Sequence, residues 1–176
     1  MIISVEKAKT LIDDFGGWTD EKIEMKLKAI EKTVREYTNN NFQVRGYRVR
    51  AYIADGVLVS ESGAVPFTVD DTVQISNSQL NSGIYTVVGA DDTTFTVSDD
   101  IKDENGVLVT KIVYPDDVID CCVKLLEWEK DFGNKVGIKS ETLSRHSVTY
   151  EDSAGLFHGY PKGILNGVWH YRKARC

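Results

Sequence analysis

The stretch KLKAIEKTVREYTNNNFQVRGYRVRAYIADG, from Lys26 to Gly56, changes its hydrophobic period part-way along and thereby decides how the chain is divided. Up to Tyr37 the apolar residues recur at helical spacing, whereas beyond Phe42 the period approaches two, as in a strand. Between them, the three asparagines at 39–41 compete for backbone hydrogen bonds and are expected to end the helix. The sequence therefore predicts helix before this point and β-structure after it.

Residues 1–42 predict two helices that belong to the core of the protein. Ser4 can cap a short first helix, which the glycine pair at 16–17 ends. Thr19 caps a longer second helix, whose first turn carries acidic residues that suit the positive end of the helix dipole. The apolar stripe predicted to pack this helix consists of Ile23, Leu27, Ile30 and Val34.

Residues 43–113 predict an inserted β module. Five or six short runs of β-branched and aromatic residues are separated by turn signals such as Asp55-Gly56 and Asn105-Gly106. Strands of this length and spacing are typical of a small antiparallel barrel or sandwich.

Helical spacing returns at residues 114–134, where Val118, Leu125 and Trp128 are predicted to pack the core. The remaining residues, 135–176, are rich in glycine and carry scattered aromatic side chains. This composition predicts an extended arm that packs against another protein surface. The predicted fold class is therefore α+β, with a helical bundle core of three main helices, an inserted small antiparallel β-barrel and an extended C-terminal arm.

The composition limits the classes of protein to which the chain can belong. It has 176 residues and a net charge of −6. No apolar run is long enough to span a membrane and the first residues do not resemble a signal peptide, so we expect the protein to work in the cytoplasm where it is made. The charge is uneven, with a net −10 over 54–117 and +4 over 153–176. The overall acidity argues against general binding of nucleic acid.

No catalytic or metal-binding constellation is evident in the sequence, and no cofactor is expected. The three histidines stand twelve residues apart, unlike the local ligand pairs of zinc sites. The paired aspartates suit turns and helix starts, and none lies in a calcium-loop pattern. Two alternatives stay open: a small Cys/His enzyme in which Cys121 or His146 acts, and a ligand-binding module that uses the barrel.

Several stretches resemble the head-tail connector, or adaptor, proteins of tailed bacteriophages. They are KAIEKTVREYTNNNF (28–42), YPDDV and KLLEWEK near the third helix, GIKSETLSRHSVTY (137–150), and the tail from Gly159 to Arg175. The resemblance covers about 1–42 and 114–176, and the segment after Gly137 is its most specific part. The β-rich stretch 43–113 departs from the smaller members of that family.

The resemblance implies a structural protein of the virion, located at the head-tail interface. In that family, identical subunits form a ring of twelve copies beneath the portal protein, and the ring's other face receives a stopper or tail-completion protein. Double-stranded DNA passes through the channel without specific binding, and no membrane is involved.

The resemblance also implies that the C-terminal arm docks on the portal or on a neighbouring subunit. Its apolar and aromatic residues would enter a groove, and its basic residues would pair with acidic groups there. Truncation after Tyr150 is expected to leave the helical core folded. The candidate docking residues are Tyr160, Ile164, Leu165, Val168, Trp169, Tyr171, Arg172, Lys173 and Arg175.

Two placements of the acidic β module remain open. Acidic groups that line the channel would let DNA slide without sticking to the protein. A module at the periphery of the ring would use its acidic groups for solubility. The peripheral placement is favoured, because about seventy residues per subunit would crowd a channel only wide enough for duplex DNA.

Overall fold

Six strands between residues 43 and 112 close into an antiparallel barrel in the computed structural model, which describes residues 1–133, 140–143, 146–149 and 155–174. The chain divides into two units. The barrel unit comprises Met1 and residues 41–113, and the helical unit comprises residues 2–40 and 114–176. Each unit is described separately below.

The barrel strands follow one another around the wall in the order β1-β2-β5-β4-β3-β6, and β6 pairs with β1 to close the ring. Every neighbouring pair is antiparallel. The strands are β1 (Gln43–Ala54), β2 (Val57–Ser60), β3 (Thr72–Ser76), β4 (Gly83–Ala90), β5 (Thr94–Val97) and β6 (Glu104–Ile112).

Apolar side chains that alternate along the strands fill the interior of the barrel. On β1 the buried residues are Val49, Ala51 and Ile53, and the residues between them face outwards. Phe67 and Phe95 meet edge to face at the centre, with ring centroids 5.1 Å apart. Because this interior is occupied by packed side chains, the wall of the barrel and its loops are the surfaces left for binding.

Glu104, the first residue of β6, organises the loop that joins β3 to β4. Its carboxylate accepts hydrogen bonds from the Ser78 hydroxyl, from the backbone N–H groups of Gln79 and Leu80, and from the Asn81 amide. These donors, the Ser78 hydroxyl foremost, lower the pKa of Glu104. One ionised side chain thus accepts four of the hydrogen bonds that order this loop.

The helical unit is built from both ends of the chain. Its helices are α1 (Val5–Leu11), α2 (Asp20–Thr38), α3 (Asp116–Phe132) and α4 (Lys162–Leu165), and a 3-10 helix covers Asn166–Tyr171. Two small antiparallel hairpins complete it: β7 (Ser140–Leu143) with β8 (His146–Thr149), and β9 (Leu156–Phe157) with β10 (Tyr160–Pro161).

The predicted bundle core of three main helices is wrong. Only α2 and α3 are long, since α1 has seven residues and α4 has four. The helical periodicity identified two amphipathic helices correctly, but their apolar faces are covered by short C-terminal elements and not by a third long helix. The closed six-stranded barrel is the most extensive regular element among the described residues.

The extended C-terminal arm is also corrected for the part of it that the structure describes, residues 155–174. Leu165 and Val168 are fully buried, and Tyr160 is 6% exposed. Apolar side chains buried to this degree belong to a folded core. The segment folds back onto its own unit instead of extending away from it.

We predict that Phe95→Ala destabilises the barrel by about 3–5 kcal/mol, because it removes a buried ring that packs against Phe67 and leaves a cavity. Urea denaturation followed by circular dichroism measures the loss. Val88→Ala on β4 is the control: its side chain is 54% exposed, so its effect should stay within about 0.5 kcal/mol. Equal effects of the two substitutions would contradict the assigned core.

We predict that Glu104→Gln flattens the acid limb of the stability curve. The pKa of Glu104 is lower in the folded state than in the unfolded state. Its contribution to the free energy of unfolding is therefore fully present above the unfolded-state pKa of about 4.3, and it is lost as the pH falls through the folded-state pKa. The wild type should therefore exceed the variant in stability at neutral pH and approach it in acid. Thermal unfolding at pH 7, 5, 4 and 3 tests this, and a constant difference across the series would contradict it.

Candidate docking surface

The C-terminal segment, residues 155–174, covers the apolar faces of α2 and α3. Leu165 and Val168 supply its two fully buried aliphatic side chains. Tyr160 packs edge to face on Trp128 of α3, with ring centroids 6.1 Å apart. Short elements suffice here because each presents one or two apolar residues to helices that already carry continuous apolar stripes.

Polar contacts fix the end of this segment to the end of α2. The Lys173 N–H donates to the Thr38 carbonyl at 2.8 Å. The Asn39 amide donates to the carbonyls of Lys173 and Ala174, both at 3.1 Å, and the Asn40 amide donates to the Tyr171 carbonyl at 3.1 Å. Asn39 has a φ of 48°, a left-handed conformation that asparagine tolerates and that ends the helix.

An aromatic cluster lies beside these contacts. The Tyr37 ring packs edge to face on Phe157 at 5.3 Å and on Trp169 at 5.9 Å. The Tyr37 hydroxyl donates to the Asn166 side chain at 2.6 Å, and burial raises the pKa of this tyrosine. The Tyr171 hydroxyl donates to Asp117 on α3 at 2.9 Å, so the segment is fixed to both long helices.

The outer side of the segment carries a basic and aromatic group of residues. Trp169 is 50% exposed, and the Arg172 guanidinium lies over its ring at 4.4 Å. Lys173 is exposed next to them. We call Trp169, Arg172 and Lys173 the docking surface, because tryptophan and arginine are enriched at the centres of protein interfaces.

The structure separates the sequence-predicted docking residues into two groups. Tyr160, Leu165 and Val168 are buried within the helical unit, so they hold the segment in place and are not accessible to a partner. Ile164 and Tyr171 are half-buried. The exposed members are Trp169, Arg172 and Lys173, and Arg175 lies outside the described residues.

The residues predicted to pack the helices all line the interior of the same unit. Trp128 is half-buried against Tyr160 and Phe132. The other six are each no more than 1% exposed: Ile23, Leu27, Ile30, Val34, Val118 and Leu125.

The two cysteines of α3 lie in surroundings that disfavour the thiolate. Burial is the main cause that raises the pKa of Cys121 to about 11, and it raises the pKa of Cys122 further. The Cys121 thiol lies 3.7 Å from the Ile164 carbonyl, so it packs beneath the C-terminal segment. Both thiols are therefore protonated near neutral pH.

The exposed histidines of the helical unit each face a carboxylate. His158 Nδ1 lies 3.4 Å from Glu36, and His170 Nε2 lies 3.1 Å from Asp117. The side chain of His146 lies outside the described residues. Among the residues that the structure describes, no cluster of three or more histidine, cysteine, aspartate or glutamate side chains is arranged to hold a metal ion.

Sequence reasoning missed the contribution of Asn39, Asn40 and Tyr37, which receive the C-terminal segment. The asparagines were expected only to end α2. Their number was an available signal, since one residue suffices to end a helix and three in a row leave side-chain amides for other partners. Tyr37 was expected only to mark the end of the helical spacing, although its hydroxyl and ring both contact the segment.

Comparison with known proteins leaves the chain without an assigned family. No protein-family model matches it, and no curated protein matches it. None of the helices in the described part of the chain combines the length and apolar character that crossing a bilayer requires.

We predict that Leu165→Ala destabilises the helical unit by about 2–5 kcal/mol, because this side chain is fully buried on α4, which packs on α3. Truncation after Tyr150 should unfold the unit for the same reason, contrary to the expectation from sequence. Thermal unfolding followed by tryptophan fluorescence is the measurement. The exposed Gly167→Ala is a matched control within the segment, since nothing lies within 4 Å of an added Cβ there. A stable, helical truncated protein would contradict this assignment.

Proposed function

We propose that the chain is a structural head-tail connector, or adaptor, protein of a tailed phage, without catalytic activity. Identical subunits form a ring under the portal protein, extend the DNA channel and receive the stopper or tail-completion protein on the other face. The protein belongs to the virion, at its head-tail interface. Duplex DNA passes through the ring without specific binding.

The observation that carries this proposal is the two-sided C-terminal segment. Its inner side is anchored by Leu165 and Val168, and its outer side presents Trp169 under the guanidinium of Arg172. A surface that is held rigidly before binding loses less conformational entropy when a partner arrives. This arrangement suits docking into a groove better than a free arm would.

The charge of the segment supports a partner with an acidic groove. Residues 153–176 carry four basic and no acidic side chains, and two of the basic ones belong to the docking surface. Complementary charge accelerates association and selects the correct orientation. The stacked tryptophan and arginine would supply the desolvated centre of the contact, and Lys173 its charged rim.

The most specific part of the resemblance lies between α3 and the C-terminal segment. Residues 140–143 and 146–149 pair as the hairpin of β7 and β8, from Ser140 opposite Thr149 to Leu143 opposite His146. The resemblance therefore includes this hairpin and the docking segment.

The docking surface can be tested with purified portal rings from the same phage. Arg172→Glu with Lys173→Glu should weaken binding of the chain to the portal by at least about tenfold, because it places acidic groups against an acidic groove. Trp169→Ala should also weaken binding by removing the central aromatic side chain. Pull-down and electron microscopy of the mixed rings report binding, symmetry and position.

The matched control is Lys28→Glu with Lys32→Glu on α2. Both side chains are well exposed, at 62% and 76%, and the change in net charge is the same. This control should bind portals as the wild type does. Portal binding that survives all the docking-surface substitutions, in variants with wild-type thermal stability, would overturn the proposed surface. A wild type that leaves portal rings bare would overturn the proposed function.

A further inference from the structure

The basic residues of the barrel unit are concentrated on one strand of its wall. The unit is acidic overall, with ten acidic and five basic side chains over 41–113. Three of the five basic residues lie on β1, and all three are exposed: Arg45, Arg48 and Arg50. The net charge of the unit hides this concentration of positive charge on one strand.

Aromatic side chains accompany these arginines on the outer face. Tyr47 is 48% exposed and Tyr52 is 38% exposed. The pairing of β1 with β6 is interrupted between Gln43 and Arg48, and such a bulge turns the intervening side chains out of the ladder. We call the resulting set the β1 stripe; it comprises Arg45, Tyr47, Arg48, Arg50 and Tyr52.

The guanidinium groups of the stripe are held at the surface by local contacts. Arg48 Nε donates to the Thr110 hydroxyl at 2.8 Å, within the β1–β6 pair. Arg50 lies 3.5 Å from Glu61, in an ion pair whose side chains are 63% and 42% exposed. Exposed pairs of this kind contribute little to stability, so Arg50 can exchange Glu61 for another carboxylate at small cost.

Most of the exposed acidic residues lie around β4 and β5, whereas Asp55, Glu61 and Asp103 lie on the side of β1. β4 is three strands from β1 in both directions around the closed wall. Asp70 is bonded to β4 through its N–H and the Val87 carbonyl at 2.9 Å, and the Ser98 N–H donates to Thr86 of the same strand. We call this side the acidic edge; its exposed residues are Asp70, Asp91, Asp92, Asp99 and Asp100.

A depression of about 570 Å³ opens on the acidic edge at the turn from β4 to β5. Val65, Phe67 and Ala90 line it together with Asp91, Asp92 and Thr93, and polar atoms form the larger part of its surface. Such a site fits a guanidinium, because the cation pairs with the two carboxylates. The β1 stripe carries three guanidinium groups.

We propose that the β1 stripe of one copy binds the acidic edge of the next copy, so that the barrels associate head to tail. The inference rests on the proposed ring, and it assigns to the barrel a contact between subunits of that ring. Two different, complementary surfaces on one subunit generate heterologous contacts, which form a ring when the rotation between subunits closes. The acidity of the unit as a whole disfavours nucleic acid as the occupant of the stripe.

Two charge-reversed variants of the full chain test the pairing. The stripe variant combines Arg45→Glu with Arg50→Glu, and the edge variant combines Asp91→Lys with Asp92→Lys. Each alone sets like charges against each other in a head-to-tail contact. Self-association measured by sedimentation velocity at low salt should weaken at least about tenfold for either variant. Lys28→Glu with Lys32→Glu, and Glu6→Lys with Asp13→Lys, control for net charge and should associate as the wild type does.

Mixing the two variants is the decisive experiment. The reversed β1 stripe of the stripe variant then faces the reversed acidic edge of the edge variant, so their charges are again opposite. The other contact joins the unchanged β1 stripe of the edge variant to the unchanged acidic edge of the stripe variant. An equimolar mixture should therefore recover association that neither variant shows alone. Wild-type association should also weaken as salt is added, because exposed charge pairs are screened; this measurement needs no variant and covers the case in which a variant fails to fold.

The proposal is overturned if the wild type stays monomeric at every concentration, if either variant associates as the wild type does, or if the mixture fails to recover association. Binding of the wild type to a single-stranded oligonucleotide, lost in the stripe variant while self-association persists, would assign the stripe to nucleic acid and also overturn it. These measurements use the chain alone, without portal rings. A negative result would therefore reject the contact between barrels without bearing on whether the chain binds portal rings.

Discussion

Burial of the apolar faces of α2 and α3 under the C-terminal segment is the constraint on which the helical unit depends. Leu165 and Val168 reach full burial only because residues 155–174 return across both helices. The hydrogen bonds from Asn39 and Asn40 fix where that return ends. The exposed positions of Trp169 and Arg172 follow, since the inner residues of the segment determine which side chains remain outside.

The sequence predicted individual elements well where a period was sustained. Thr19 marked the start of α2, whose cap bond to Lys22 is present, and the change of period beyond Phe42 marked the start of β1 at Gln43. The short C-terminal elements escaped prediction because four- and six-residue helices are too brief to show a period. Asn105-Gly106 was interpreted as a turn but lies within β6, where the glycine has a φ of +72° beside an irregular part of the ladder.

Charge was harder to interpret than periodicity, because the net charge of a sequence segment does not show where its charged side chains lie on the folded surface. The net −10 over 54–117 suggested a uniformly acidic module. It missed the arginines of β1, which precede that segment in sequence but belong to the same barrel. Only the closed strand order, which brings β6 beside β1, shows that the basic strand and the acidic turns belong to one wall. Long-range pairing of this kind leaves no local signal in the sequence.

The two ends of the barrel meet where the Val113 N–H donates to the Phe42 carbonyl at 3.1 Å. This closeness has a consequence for the order in which the protein forms on the ribosome. All six barrel strands have been synthesised by residue 112, whereas the helical unit still lacks α3 and its C-terminal cover. The barrel can therefore fold during translation. The apolar stripe of α2, made before it, cannot be fully covered until α3 and the C-terminal segment have been synthesised.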